Sequence, residues 1–84
     1  MENLSKLNTI TIIAFGEIAE ILNRSAISIE NFTDTDSLEI WLHQNFKELK
    51  NKTYKIAVNK KLILNNTQLQ SGDEVALMPP FSGG

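Results

Sequence analysis

The chain ends on Pro79-Pro80-Phe81-Ser82-Gly83-Gly84, and the reactive group there is the α-carboxylate of Gly84. A free α-carboxyl has a pKa of about 3.3–3.7, so it is ionised near neutrality and is a poor electrophile. Activation by ATP to an acyl-adenylate turns it into an acyl donor. A sulfur nucleophile can then convert it to a thiocarboxylate. Gly83 and Gly84 carry no Cβ, so an activating enzyme can surround them in a slot too narrow for other residues. Pro79 and Pro80 donate no ladder hydrogen bonds and hold the exit stiff and extended. Six extended residues reach at most roughly 20 Å, enough to deliver the carboxylate into another protein's buried site.

Little else in the chain is equipped for chemistry. It has no cysteine, which excludes a disulfide framework, thiolate metal sites and a cysteine nucleophile. Any sulfur chemistry must therefore use the carboxylate. His43 is the one histidine. It is expected at the surface, beside an apolar helical stripe, and without a second histidine or a cysteine no metal site is expected. The net charge is −2 and only Lys60 and Lys61 are adjacent among the eight Lys and Arg, which argues against binding nucleic acid through phosphate contacts. No apolar run approaches membrane-spanning length, and Met1–Lys6 lacks a signal-peptide pattern, so the expected location is the cytoplasm. No side-chain nucleophile, metal cluster or acid–base pair is evident, so the chain is not expected to be an enzyme on its own.

The elements that must position the C-terminal segment follow from periodicity. Thr9–Phe15 alternates and is rich in β-branched residues, predicting a strand with Ile10, Ile12 and Ala14 on one face. Its other face carries Ile13 and Phe15, more apolar than a solvated face requires. Gly16 breaks the strand, and Glu17–Leu22 predicts a turn or two of helix, too short to be stable alone. Ser25–Phe32 predicts a second strand, antiparallel to the first. Thr35 or Asp36 is expected to cap the main helix, with Asp36 and Glu39 at capping-box spacing. Leu38, Trp41, Leu42, Asn45, Phe46 and Leu49 fall on one stripe, the expected centre of the core. Strands are predicted at Thr53–Val58 and Leu62–Leu64, a core plug at Leu69, and a last strand at Glu74–Met78 after the Ser71-Gly72-Asp73 turn. In that last strand Val75 and Leu77 share one face, and Ala76 and Met78 the other.

One helix between two sets of strands predicts an α+β fold, a mixed sheet with the main helix packed on one face. First and last strands parallel at the centre would make it a β-grasp (ubiquitin-like) fold. The folded domain is expected over 1–78, with 79–84 as an extended C-terminal tail.

Ala57-Val58-Asn59-Lys60-Lys61-Leu62, Gly72-Asp73-Glu74-Val75-Ala76-Leu77-Met78-Pro79-Pro80 and Phe81-Ser82-Gly83-Gly84 resemble the small, sulfur-carrier subunit of molybdopterin synthase. That family is MoaD-like and sits within the ubiquitin-like sulfur-carrier superfamily. The match in length and element order spans essentially the whole chain. The tail signature is the more specific part, because Pro-Pro before Gly-Gly favours this subunit over other carriers.

The resemblance implies a β-grasp fold and a cycle with several partners. An ATP-dependent activating enzyme would adenylate Gly84, and a sulfurtransferase would supply sulfur to form the thiocarboxylate. The carrier would then dock on the large catalytic subunit, in a heterotetramer, and give sulfur to a cyclic pterin precursor to build the dithiolene of molybdopterin. The chain itself would bind no cofactor, and ATP would belong to the activating enzyme. Gly84 would be the reacting residue and Gly83 the steric requirement. Pro79 and Pro80 would set the exit, with Phe81 a docking contact and Ser82 a variable residue of the tail.

Ordering six tail residues costs about 1–2 kcal/mol each in backbone entropy, somewhat less with two prolines. The glycines bury almost nothing, so a body interface near the tail's origin is expected as well, with Phe15, Met78 and Phe81 as candidates. A thiocarboxylate is an anion, so the partner's slot should present cations. Three alternatives remain: a thiamine-type carrier with the same chemistry on Gly84, a ubiquitin-like modifier joined through Gly84 to a target lysine, and an interaction module whose tail is incidental.

Overall fold

The structure, a computed structural model, describes residues 8–80. In chain order the elements are β1 (Thr9–Ala14), α1 (Gly16–Leu22), β2 (Ala26–Glu30), α2 (Thr35–Asn45), a 3-10 helix (Lys47–Asn51), β3 (Lys55–Val58), β4 (Lys61–Ile63) and β5 (Glu74–Met78). The five strands form one sheet in the order β2-β1-β5-β3-β4. β1 and β5 run parallel, with Ile12 opposite Val75 and Ala14 opposite Leu77. The other pairings, β1–β2, β3–β4 and β3–β5, are antiparallel. This is the mixed β-grasp sheet that the element order predicts.

Alternation decides which face is core. Ile10, Ile12 and Ala14 of β1 and Val75 and Leu77 of β5 are buried, and so are Ile18 and Leu22 of α1 and Leu38 and Leu42 of α2. They form one cluster with Ile29, Leu49, Val58 and Leu69. Burying an aliphatic side chain of this size stabilises by roughly 1.5–3 kcal/mol, and the cluster is what holds two short helices onto the sheet. Leu69 fills its place as a plug, and its N–H donates to Thr33 O at 2.8 Å.

Several boundaries differ from the periodic reading, each for a local reason. β1 stops at Ala14, because Phe15 already serves as N-cap of α1. β2 stops at Glu30, because Asn31 takes φ 72°. The cap of α2 is Asp34, not Thr35 or Asp36: its carboxylate accepts from Ser37 N–H at 3.0 Å. These hydrogen bonds from Ser37 and one from the Asn66 amide hold the Asp34 carboxyl below its ordinary pKa. Thr35 instead becomes the first helical residue and is buried, its hydroxyl accepting from Thr67 N–H at 2.9 Å. The Asp36–Glu39 capping box does not form, since Asp36 N–H donates to Asn66 Oδ1 at 2.8 Å.

α2 ends at Asn45, which is exposed and not on the buried stripe. Its side-chain amide donates back to Trp41 O at 2.8 Å, competing for the helix's own carbonyls. Leu49 reaches the core from the 3-10 helix and not from α2. Trp41 lies between Phe32 and Phe46, tilted against the first and edge-on to the second, at centroid distances of 5.8 and 6.2 Å. β3 and β4 are joined by Asn59 and Lys60, both at positive φ (50° and 73°) as a tight hairpin turn requires.

His43 is half-buried, not a free surface histidine. Its Nε2 lies 2.8 Å from Tyr54 Oη, and the Tyr54 hydroxyl donates to Glu39 Oε2 at 2.6 Å. Since the phenol spends its proton on Glu39, His43 donates through Nε2–H. Burial, then the hydrogen bond and charge of Glu39, push the Tyr54 phenol well above the ordinary tyrosine pKa. A raised acid is held neutral by the fold, so its contribution is complete below about pH 10 and is lost as the pH rises further. Tyr54 is the sole tyrosine. Its phenolate absorbance should therefore appear at higher pH than that of free tyrosine, and in Glu39→Gln the onset should move back toward the free value.

Candidate functional site

β5 is the last element among the described residues and lies at the centre of the sheet, between β1 and β3. Val75 and Leu77 point into the core and are fully buried, so they anchor the strand. Ala76 and Met78 point to the opposite face and are half-buried. Pairing on both sides continues to the strand's end: Met78 stands opposite Lys55 of β3, and Phe15 N–H donates to Leu77 O at 3.1 Å. The chain therefore leaves the body at Pro79 from a point fixed on both sides. Pro79 is half-buried and Pro80 exposed. Both lie beyond the ladder, as residues without an N–H must.

Beside the exit, Phe15, Lys55, Met78 and Pro79 line a hollow of ≈ 360 Å³. Phe15 keeps 49% of its surface exposed. The walls are apolar, and Lys55 adds a cation on an apolar stem. This places two expected docking residues, Phe15 and Met78, together with Pro79 in one surface feature. Phe81, Ser82, Gly83 and Gly84 lie outside the described residues.

The sheet face that carries this hollow is apolar further along. Register brings Ala26, Ile13, Ala76, Ala57 and Leu62 into one row that crosses all five strands, β2-β1-β5-β3-β4. Leu62 is 49% exposed, and Leu64 beyond the end of β4 is 88% exposed. The next row away from the exit is polar, with Ser28, Thr11 and Glu74. Both helices bury their side chains in the core on the other face. The row is built mostly of alanines, so the surface is flat, with Ala26 and Leu62 exposed at its two ends, Ile13 and Ala76 half-buried and Ala57 buried.

Periodicity finds Phe15, Met78 and the two faces of β5. It does not find Lys55, Leu62, Ala57 or Ala76 as neighbours of the exit, because their proximity comes from strand order and register.

Two other depressions lie among the described residues, the first of which shares Lys55 with the exit hollow. One of ≈ 320 Å³ lies between α2 and the β3–β4 hairpin and includes Asp36, Glu39, Tyr54 and Asn66. The other, ≈ 700 Å³ and open, runs along Ile40, His43, Lys47 and Lys50. Among the described residues, no group of three or more His, Cys, Asp or Glu is placed to hold a metal ion. No helix among them is long and apolar enough to cross a membrane.

The sequence from residue 12 to residue 84 matches the ThiS family model. The chain belongs to the ThiS family. A curated relative is the molybdopterin synthase sulfur carrier subunit of Mycobacterium tuberculosis, 30% identical over 80 residues, covering 89% of this chain and 96% of that one. A chain in a solved protein–protein complex of subunits 1 and 2 of the molybdopterin-converting factor from Helicobacter pylori is also similar. It is 32% identical, with a TM-score of 0.69, over 90% of this chain and 99% of that one. The small archaeal modifier protein 1 of Methanosarcina acetivorans shares the fold at 17% identity, with a TM-score of 0.78 over 93% of this chain and 98% of that one. This ThiS-family member thus has the ubiquitin-like fold and a sulfur-carrier subunit among its relatives, as the tail signature implies.

The two faces of β5 give different expectations for adjacent residues. Leu77→Ala removes a fully buried side chain and should cost about 2–5 kcal/mol of unfolding free energy. Met78→Ala, one residue on and half-exposed, should cost clearly less. Denaturant unfolding of the two variants measures both.

Proposed function

We propose that this chain is the sulfur-carrier subunit of a molybdopterin synthase. The observation that carries the reading is the exit itself. A Pro-Pro-x-x-Gly-Gly end leaves the central strand of a β-grasp sheet beside an open apolar face. A partner can grip that face while the end reaches its active site.

In this cycle the Gly84 carboxylate attacks the α-phosphate of ATP in an activating enzyme, and pyrophosphate leaves. The terminal sulfur of a sulfurtransferase persulfide then attacks the acyl carbon and AMP leaves. A second thiol cleaves the resulting acyl disulfide, forming a disulfide with the donor and releasing the thiocarboxylate, so one carboxylate oxygen is replaced by sulfur. The thiocarboxylate is presented to the large subunit, where the sulfur goes to the cyclic pterin precursor. The catalytic side chains belong to the partners, and this chain is a donor and not an enzyme by itself. ATP is bound by the activating enzyme, and this chain holds no cofactor. The complex of subunits 1 and 2 in the Helicobacter pylori relative supports a large subunit as the docking partner. The chain would work in the cytoplasm, where such partners and ATP are available.

The body interface falls on the outer sheet face. Its row from Ala26 to Leu62, with Phe15 and Met78 at the exit, offers apolar contact. Lys55 favours a partner carboxylate at the rim of the hollow. Gly83 and Gly84 then enter the slot with Phe81 and Ser82 behind them, and the body contacts offset the entropy lost by ordering the tail.

Two outcomes test this reading. Deleting Gly84 should abolish sulfur transfer to the precursor while leaving the unfolding midpoint unchanged, since β5 ends at Met78, well before the deleted residue in sequence. Transfer that survives the deletion would refute the mechanism. Met78→Asp should weaken binding to the large subunit by about 1–3 kcal/mol, because it places a charge in a desolvated contact, as read by calorimetric titration. The modifier alternative would appear instead as a lysine adduct of higher mass.

A further inference from the structure

The body touches the exit of the chain at one position that has no side chain. Gly16 starts α1 at φ +58°, in the left-handed region. A Cβ placed there would lie 3.1 Å from Pro79 Cγ and 3.9 Å from Pro79 Cδ. Just before Gly16, the Phe15 N–H ties the same corner to β5 through Leu77 O. The pyrrolidine ring of Pro79 thus rests against the start of α1, two residues after the last buried anchor of the strand. The ring also fixes its own φ, so the contact and the ring together leave few ways out of the sheet.

We propose that Gly16 is a positioning residue for the carrier tail. Its missing side chain lets Pro79 lie against the β1–α1 corner, and that contact sets the direction in which the chain continues past Pro80. The inference rests on the carrier reading above and adds to it a residue outside the tail. Five further residues, each spanning at most about 3.3–3.6 Å, separate Pro79 from the carboxylate. A partner that holds both the body and the carboxylate is sensitive to that direction, since a misplacement of about 1 Å can cost on the order of 10²-fold in rate.

Asparagine separates the contact from the backbone. This chain already holds Asn23, Asn31 and Asn59 at φ of 63°, 72° and 50°. Gly16→Asn therefore keeps the left-handed corner and adds only the Cβ and its amide. Pro79→Ala removes the ring atoms that the Cβ would meet. The experiment compares the full-length wild type, Gly16→Asn, Pro79→Ala and the double variant. One readout is the residual dipolar coupling of the Phe81 amide relative to amides of β1 and β5, which reports the exit direction without any partner. The other is ATP–pyrophosphate exchange with the activating enzyme, resolved into kcat and KM.

In Gly16→Asn the Phe81 coupling should change while those of β1 and β5 do not. kcat should fall about tenfold or more with KM changed by less than about threefold, because docking is kept and only the approach of the carboxylate is lost. In the Pro79→Ala background the same substitution should have no further effect. An unchanged Phe81 coupling in Gly16→Asn overturns the inference, and so does an equal loss in both backgrounds. If the wild type supports no exchange at all, the carrier reading fails, and the Phe81 couplings of the four proteins alone decide the role of Gly16.

Discussion

The parallel pairing of β1 with β5 is the constraint on which the rest of this structure depends. It joins the first and last strands among the described residues and places the latter at the sheet's centre. β5 is then held by β1 on one edge and by β3 on the other, with Val75 and Leu77 fully buried beneath it. Central, doubly paired strands are the last parts of a domain to open, whereas chain ends on edges fray. The C-terminal segment therefore starts from the least mobile kind of position in the fold. A carrier whose reactive atom is at the end of the chain needs that, because any looseness at the origin is added to the uncertainty at the tip.

The same strand serves two ends through its pleat. Val75 and Leu77 commit one face of β5 to the core, and Ala76 and Met78 leave the other face for contact. Neighbouring strands follow the same division. Ile10 and Ile12 are buried under the helices, while Ile13, one residue on, joins the outer row. With alanines at positions 26, 57 and 76, that row is shallow enough for a partner's side chains to lie directly on the sheet. The net charge is small, so apolar area rather than long-range attraction would set the affinity, with Lys55 supplying orientation at the rim.

Much of this was legible in the sequence, and what was not has identifiable physical causes. Alternation in Thr9–Phe15 and Glu74–Met78 was strong enough to place the core face, the outer face and the end of the last strand before Pro79. The tail signature pointed to the family. The capping of α2 was misread because Thr33-Asp34-Thr35-Asp36 offers four competent side chains, and Asn66, which favours Asp34 by occupying Asp36 N–H, lies thirty residues away in sequence. Asn45 fell on the helical stripe by spacing, yet its amide ends the helix locally. His43 looked solvent-facing, because its partner Tyr54 comes from β3's approach and not from α2. Lys55, Leu62 and Gly16 take on meaning only once register places them around the exit. Spacing alone showed Gly16 as a break in the pattern, and its contact with Pro79 needs the whole sheet closed.

The central claim is that the chain's own carboxyl carbon carries sulfur. The intact mass of the full-length chain, after incubation with ATP, its activating enzyme and a sulfur donor, tests it most directly. The account predicts a mass gain equal to one oxygen exchanged for one sulfur, located on the C-terminal peptide and dependent on ATP. An unchanged mass under conditions that convert another ThiS-family carrier, or a lysine-linked adduct in its place, would contradict it.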